Sequence, residues 1–180
     1  MADMVDMTDL RYPLGSFSFD KAGAANRRGA SIKHIAEAPS LLRSALEGLT
    51  AVQIDTPYRP GGWTVRQVAH HLPDSHLNAY CRFKLALTEA NPTIKPYDEA
   101  AWANLADTAR TAPQVSVALL EALHVRWVNL LESMTESDFN RPLQHPEHGP
   151  ISLDWMLQMY AWHGRHHVAQ VTSLRSREGW

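Results

Sequence analysis

Apolar residues that alternate three and four positions apart recur in four long segments of this 180-residue chain. In the third segment, Leu120, Leu123, Trp127, Leu130 and Met134 step by three, four, three and four. That spacing places them on one face of an α-helix, whereas a half-buried strand alternates at every second residue. No comparable stretch alternates in that way. The pattern predicts an all-α protein whose fold class is a four-helix bundle with short extra helices.

Local signals indicate where these helices begin and where they are interrupted. Thr64 followed by Gln67 is a capping-box pattern, which predicts the start of the second helix, and Ser152 is expected to cap the fourth. Pro39 interrupts the apolar face of the first helix, so we expect either a kink there or two stacked helices.

The segments between the helices are predicted less regularly. Residues 1–20 lack sustained helical spacing and are expected to form an N-terminal arm lying over the body. Residues 92–113 contain three prolines around a short helical piece near 98–106. The connection with His145-Pro146 and Gly149-Pro150 is predicted to be a loop. Together, residues 1–180 have the length of a single domain.

Composition excludes several classes of function. Seventeen Lys and Arg against nineteen Asp and Glu give a formal net charge of −2, which is no electrostatic footprint for nucleic acid or an anionic membrane. No apolar run approaches the roughly 18 residues of a bilayer span, and residues 1–11 do not resemble a secretory signal. Cys81 is the single cysteine, which excludes an internal disulfide and a multi-cysteine metal site.

With ten histidines and one cysteine, nitrogen and oxygen must supply the ligands for any metal this chain binds, and two of the histidines are well placed. His163 and His167 are four residues apart on the inward face of the fourth helix, so their imidazoles could chelate one divalent ion. Such pairs also arise as ordinary core or surface histidines. His166 is one residue off this face and is expected to be solvent-facing or to lie behind the ligands.

The second helix offers a third imidazole. His70 and His71 are about 100° apart around the helix, so they cannot both face one point. His71 shares a polar stripe with Asp74, Ser75 and Asn78, next to an apolar stripe. This stripe either borders a buried site or is simply solvated.

Three histidines would leave at least one coordination position open, as in catalytic zinc sites. Asp74 could then orient a ligand imidazole or handle a proton, although it could also be a surface acid. In metalloproteases with the H-E-x-x-H motif a Glu follows the first histidine. Here that position is Gly164, which disfavours peptidase chemistry of that type. Cys81 is predicted to be a buried structural thiol, while Trp162 and Tyr97 could line a pocket.

Several motifs in order resemble the YfiT-like branch of the DinB family. The resemblance covers most of the chain from about Tyr12 onward. The matching runs are DTPYR (55–59), GGWTVRQVAHHL (61–72), DSH (74–76), RFKL (82–85), LTE (87–89), PYDE (96–99), Trp102, YAWH (160–163), HHVA (166–169) and the final GW (179–180).

This resemblance implies an up-down-down-up bundle with one divalent metal ion, zinc or nickel, in its core. Carried over by position, the metal ligands are His71, His163 and His167, the residues that helical spacing also selects. It further implies a cytoplasmic homodimer acting on a small-molecule substrate. Two departures are Pro73, expected to kink the helix beside His71, and Arg165, expected to make the pocket rim more cationic.

Three functions are compatible with such a site. Proteins of this family are commonly named metal-dependent hydrolases, in which the metal activates water. Others resemble S-transferases for a low-molecular-weight thiol such as bacillithiol, which the metal would hold as thiolate. We favour the thiol transferase narrowly, because no general base is evident beside the ligands. The third reading is a metal-binding protein without turnover.

The remaining histidines divide into two groups by position. His70, His76 and His166 are expected to flank the site. The others are expected to be ordinary surface or loop residues: His34, His124, His145 and His148.

Overall fold

A computed structural model describes residues 9–180, and helices account for most of them. The prediction of an all-α, four-helix bundle is confirmed, with four helices of more than twenty residues each. The helices are α1 (Ala24–Leu46), α2 (Ala51–Ile54), α3 (Val65–Thr88), α4 (Glu99–Ala103), α5 (Ala106–Arg110), α6 (Pro113–Ser133), α7 (Glu136–Phe139) and α8 (Leu153–Glu178).

Side-chain contacts fix the directions of the long helices. α1 and α8 run parallel, because Arg28 near the start of α1 pairs with Asp154 at the start of α8, while Arg175 near the end of α8 donates to the carbonyl of Ala45. α3 and α6 are parallel too, and α6 is antiparallel to α1, which gives the up-down-down-up order. The contacts that establish this are His70 with Ser116, His76 with His124, Ile35 with His124 and Arg43 with Glu121.

The buried apolar side chains form two clusters, one toward each end of the bundle. One surrounds Phe83 and Trp127, and the other surrounds Leu42, Leu72 and Leu120. On α3 and α8 the residues between the two clusters include histidines, and His124 of α6 lies beside them, 2.9 Å from His76. The bundle therefore has a layer of imidazoles between two apolar cores, and this layer is the candidate site.

The connection before α8 is a β-hairpin, so the prediction of a loop there is wrong. β1 (Pro142–His145) pairs antiparallel with β2 (Gly149–Ser152), and Leu143 lies opposite Ile151. Gly149 has a φ of 67°, which glycine adopts without strain. Strands of four residues are too short to show periodicity, and each of these contains a proline.

Both helix-internal prolines are accommodated in continuous helices. α1 runs unbroken through Pro39, which excludes the second of the two expected alternatives, a pair of stacked helices, and α3 runs unbroken through Pro73. Both prolines are buried, and tertiary packing offsets the hydrogen bond that each removes.

Residues 9–23 lie along α8. The side chain of Gln158 exchanges two hydrogen bonds with the backbone of Asp20, and Phe17 packs edge-on against Trp155. Residues 1–8 of the predicted arm lie outside the described residues. Within residues 9–180, no helix combines the length and the apolar content that crossing a bilayer requires.

The capping box that starts α3 is present, and it gives a test of stability. The amide of Gln67 donates to Thr64 Oγ1 over 3.2 Å, and Gln67 Oε1 accepts from the amide of Thr64. We expect Thr64→Ala to lower the free energy of unfolding by about 1 kcal/mol in urea titrations. Thr172→Ala, at an exposed position on α8, should change it by less than about 0.5 kcal/mol. Equal losses in both variants would contradict a capping role.

Candidate metal centre

Three imidazoles converge at the centre of the bundle. His71 comes from α3, and His163 and His167 come from successive turns of α8. One ring nitrogen of each lies within 4.8 Å of the others. His71 and His167 are buried, while His163 keeps some exposure. The structure thus brings together the three residues that the sequence selected as metal ligands.

The spacing of these nitrogens fits a small divalent ion. His71 Nε2 and His163 Nε2 are 3.2 Å apart. Two nitrogens bound to one tetrahedral zinc at its usual bond length are roughly 3.3 Å apart. The indole of Trp63, at the start of α3, covers His71 with ring centroids 4.7 Å apart. Three imidazole nitrogens at this spacing therefore suit one divalent transition-metal ion of the kind that imidazole commonly binds.

Burial keeps all three imidazoles neutral. It lowers the pKa of His71 to about 4 and holds the pKa values of His163 and His167 well below the ordinary value of a histidine. A neutral imidazole offers one lone pair and carries one proton. Metal binding at neutral pH consequently does not have to displace a proton from these rings.

The protonated nitrogen of His167 is set by Gln170. His167 Nδ1 lies 2.8 Å from Gln170 Oε1, and Gln170 Nε2 donates to the backbone carbonyl of Arg11 over 3.0 Å. Since that carbonyl can only accept, the amide must present its oxygen to His167, and His167 must carry its proton on Nδ1. The lone pair of His167 is left on Nε2.

A longer chain of hydrogen bonds determines which ring nitrogen of His163 carries the proton. His124 Nδ1 donates to the carbonyl of Ile35 over 2.6 Å, so its Nε2 accepts from His76 Nδ1 at 2.9 Å. His76 Nε2 in turn accepts from His163 Nδ1 at 3.1 Å. With neutral rings this assignment is forced from the carbonyl outward, and it leaves the lone pair of His163 on Nε2, the atom that faces His71.

The prediction that His124 is an ordinary surface or loop histidine is wrong. It is 2% exposed and belongs to this chain of imidazoles. The spacing contained the signal, because His124 lies four residues after Leu120 and three before Trp127, on the inward face of α6. His76 likewise continues the apolar stripe of α3 that contains Leu72 and Phe83.

Three other residues predicted to lie near the site have the following surroundings. His166 is not solvent-facing: it is 5% exposed, stacks on Trp162 and accepts from Gln170. His70 turns away from the three imidazoles and bonds to Ser116 on α6. Arg165 lies in the groove beneath the arm instead of at the rim beside His163.

Cys81 is exposed, so the prediction of a buried thiol is wrong. It lies on the outer face of α3, four residues from both Leu77 and Leu85, which are also exposed. The frequent burial of cysteine in proteins does not overcome the helical register here.

Asp74 lies one turn beyond His71 but does not bond to it. Within residues 9–180, its carboxylate makes no hydrogen bond to any of the three imidazoles. Burial, and then the nearby charge of Asp107, raise the pKa of Asp74 to about 6. Asp74 is thus an acid that changes charge near neutral pH, close to the centre.

Gly164 packs closely against α1 and α3. A Cβ atom there would lie 3.1 Å from the Cβ of Ala38 and 3.4 Å from Cε1 of His76. A glutamate at this position, as in H-E-x-x-H proteins, would displace α1 and the histidine that supports His163. The expectation that the peptidase base is absent therefore has a structural cause.

A second, more exposed group could also hold an ion. His145, Glu147 and His148, around the turn between β1 and β2, bring one ligand atom each within 4.8 Å of the others. His145 Nδ1 already accepts from the amide of Glu147. Compared with the buried centre, this group is solvated and its His145 nitrogen is partly engaged.

Comparison with known proteins identifies the family. The sequence profile of the DinB superfamily matches residues 34–171. The chain belongs to the DinB superfamily. This confirms the resemblance found in the sequence motifs.

Relatives in this family are similar over almost their whole length. A Bacillus cereus (strain 03BB102) protein and a Bacillus thuringiensis subsp. konkukian (strain 97-27) protein, each named "Putative metal-dependent hydrolase", are 51% identical over 174 residues. The match covers 97% of this chain and 100% of each relative. The solved structure of YfiT from Bacillus subtilis superposes with a TM-score of 0.92 at 46% identity, covering 95% of this chain and 98% of that one. YfiT is described as "a probable metal-dependent hydrolase with an unusual four-helix bundle topology".

Proposed function

We propose that this protein is a metal-dependent enzyme in which His71, His163 and His167 hold one divalent ion, zinc or nickel, that activates a small nucleophile. The observation that carries this proposal is the convergence of three neutral imidazoles, two of which have their lone pairs fixed by hydrogen bonds on the opposite nitrogen. The names of the relatives support metal dependence.

The protein's own residues supply position and environment. The ion, when bound, supplies Lewis acidity that lowers the pKa of a coordinated thiol or water and favours its deprotonated form. His76 and Gln170 hold the ligand rings in their binding tautomers. Trp63 and the apolar clusters on either side exclude water from the centre, which strengthens electrostatic interactions there.

Transfer of a low-molecular-weight thiol, such as bacillithiol, to an electrophile is the reaction we favour. Among the described residues, the possible metal ligands at the centre are three histidines, with no carboxylate among them. A thiol ionises near pH 8.5, far below water, so it needs the least help from a neighbouring base. In the reaction, sulfur forms a bond to the electrophilic carbon, the leaving group departs with its electron pair, and the thiol proton passes to solvent by way of Asp74.

Hydrolysis is the second candidate, and the names of the relatives favour it. It needs the same ligands, with water in place of the thiol. The two reactions differ in one requirement that can be measured, which is whether turnover depends on an added thiol.

A paired assay separates these functions. We expect the metal-loaded protein to accelerate the reaction of bacillithiol with chlorodinitrobenzene, and expect His163→Ala to lose that activity. The matched control is His34→Ala, a half-buried residue of α1 in the same groove as Arg165, which should keep the activity. Thiol-independent cleavage of nitrophenyl acetate, lost in His163→Ala, would instead establish the hydrolase.

A third outcome would contradict both enzyme functions. If the protein binds one ion per chain but neither reaction differs between wild type and His163→Ala, it binds metal without turnover of these substrate classes. That result would favour a role in holding or sensing the ion.

We also propose that Asp74 accepts a proton near the centre, and pH dependence tests this. A proton acceptor must be ionised, so the rate should rise with pH through about 6, the pKa of Asp74. Asp74→Asn should lose this limb of the pH–rate profile. Asp107→Asn removes a charge that raises the pKa of Asp74, so the limb should move to lower pH. A limb that is unchanged in Asp74→Asn would refute the role.

The homodimer and the cytoplasmic location are proposals that follow from the family alone. Sedimentation of the metal-loaded protein tests the first. A sedimentation coefficient that corresponds to a monomer at micromolar concentration would refute the homodimer.

A further inference from the structure

A small cavity of about 130 Å³ lies between α3, α8, the β-hairpin and the segment before α4. His163 forms part of its wall, so the cavity adjoins the candidate metal centre. Arg82, Tyr97 and Tyr160 also line it. Arg82 and Tyr97 come from two of the motifs that carry the family resemblance, RFKL and PYDE, and neither has a role in holding the metal.

Arg82 is a buried cation with no carboxylate partner. It is 8% exposed, and among residues 9–180 no Asp or Glu oxygen lies within 4.0 Å of its guanidinium. Its hydrogen bonds go only to neutral oxygens: Nη1 donates to Tyr160 Oη over 3.3 Å and Nη2 to the carbonyl of Lys95 over 3.2 Å. By contrast, Arg28, whose side chain is 16% exposed, makes a two-pronged bond to Asp154.

A buried charge without a counter-ion is costly, and an arginine has more donors than this one uses. Taking an ion out of water costs several kcal/mol unless a partner compensates for it. Among residues 9–180, two of the five N–H groups of Arg82 have partners and three do not. The hydroxyl of Tyr97, in the same wall, is buried and has no hydrogen-bond partner in the described part of the chain. Both groups are thus placed to bind something that enters the cavity.

The other charged groups of the wall stand at its outer side. Glu99 and Glu147 are both exposed to solvent there. Burial raises the pKa of Glu99, the charge of Glu147 adds to that rise, and the charge of Arg82 opposes it. Arg82 is thus the buried charged side chain of the wall, and the two carboxylates lie where solvent reaches them.

We propose that Arg82 is the binding site for a carboxylate group of the substrate, with the hydroxyl of Tyr97 as a second donor. The planar fork of a guanidinium matches a carboxylate with two parallel hydrogen bonds. The proposal rests on the proposed function for its reaction, because it places the rest of the substrate beside His163. The substrate class is a small molecule that carries a carboxylate, and neutral analogues are bound weakly.

Binding of succinate and of its neutral analogue succinamide tests this site without requiring turnover. We expect calorimetric or NMR titration to show succinate binding at least about tenfold more tightly than succinamide, since hydrogen bonds to charged groups are the stronger ones. Arg82→Met should abolish the preference. Arg82→Lys keeps the charge but not the fork, and should retain only part of it. Arg165→Met, an exposed arginine in a different groove, is the control and should match wild type.

Metal-free His163→Ala separates failure of this inference from failure of the proposed function. The guanidinium is independent of the metal ligands, so His163→Ala should still prefer succinate. Succinate preference with no metal binding by wild type would sustain this inference and refute the proposed function. Equal binding of the two compounds by wild type, or an Arg82→Met variant that unfolds reversibly like wild type and keeps the preference, would overturn the inference.

Discussion

His163→Ala is expected to lose the bound metal ion, with metal affinity reduced by at least about a hundredfold. Loss of a residue that merely supports a metal ligand already costs about ten- to a hundredfold. His163 contributes its Nε2 directly, 3.2 Å from that of His71. Elemental analysis after dialysis should find one ion per wild-type chain and almost none in the variant.

The same change should remove stabilisation by metal. A ligand present at about 1,000 times its Kd stabilises the folded state by about 4 kcal/mol, so added zinc should raise the melting temperature of wild type but not of His163→Ala. His34→Ala should respond as wild type does. If His163→Ala retains its ion and His148→Ala loses it, the metal lies at the hairpin group and the central site is refuted.

Replacing His124 with phenylalanine should weaken metal binding by about ten- to a hundredfold, although His124 touches no ligand position. Without His124 Nε2, the Nδ1 proton of His76 has no acceptor. The His76 ring can then move its proton to Nε2, where it opposes the Nδ1 proton of His163. His163 is driven to the tautomer with its proton on Nε2, and that nitrogen cannot bind a metal.

Competition with a chromophoric chelator measures the affinity, and nitrogen NMR shifts of the histidine rings report the tautomer. His124→Gln should recover part of the loss, because its amide offers one acceptor to His76 and one donor to Ile35. A merely structural role would lower the melting temperature without moving the tautomer signals of His163. Unchanged affinity and unchanged shifts in His124→Phe would refute the role of this chain.

The helices and the three candidate ligands could be predicted because each depends on spacing within one helix. Thr64 and Ser152 cap their helices through hydrogen bonds that span three residues, and both caps are present. His163 and His167 share a face for the same local reason. Their meeting with His71 depends on how α3 and α8 pack, and the family resemblance added that information.

Contacts between distant segments could not be predicted in this way. The role of His124 depends on a carbonyl 89 residues earlier in the chain. Arg82 has no carboxylate partner within residues 9–180, and this depends on which segments surround it in three dimensions, which no spacing expresses. The exposure of Cys81 follows from the helical register of α3, which composition alone does not report.

The two chains of hydrogen bonds behind His163 and His167 both end on main-chain carbonyls, of Ile35 and of Arg11. Every amino acid provides the same carbonyl, so a substitution at either position leaves the acceptor in place. An insertion or deletion that shifts the backbone would remove it. The constraint at these two positions is therefore on the path and length of the chain, and a comparison of residue identities would overlook it.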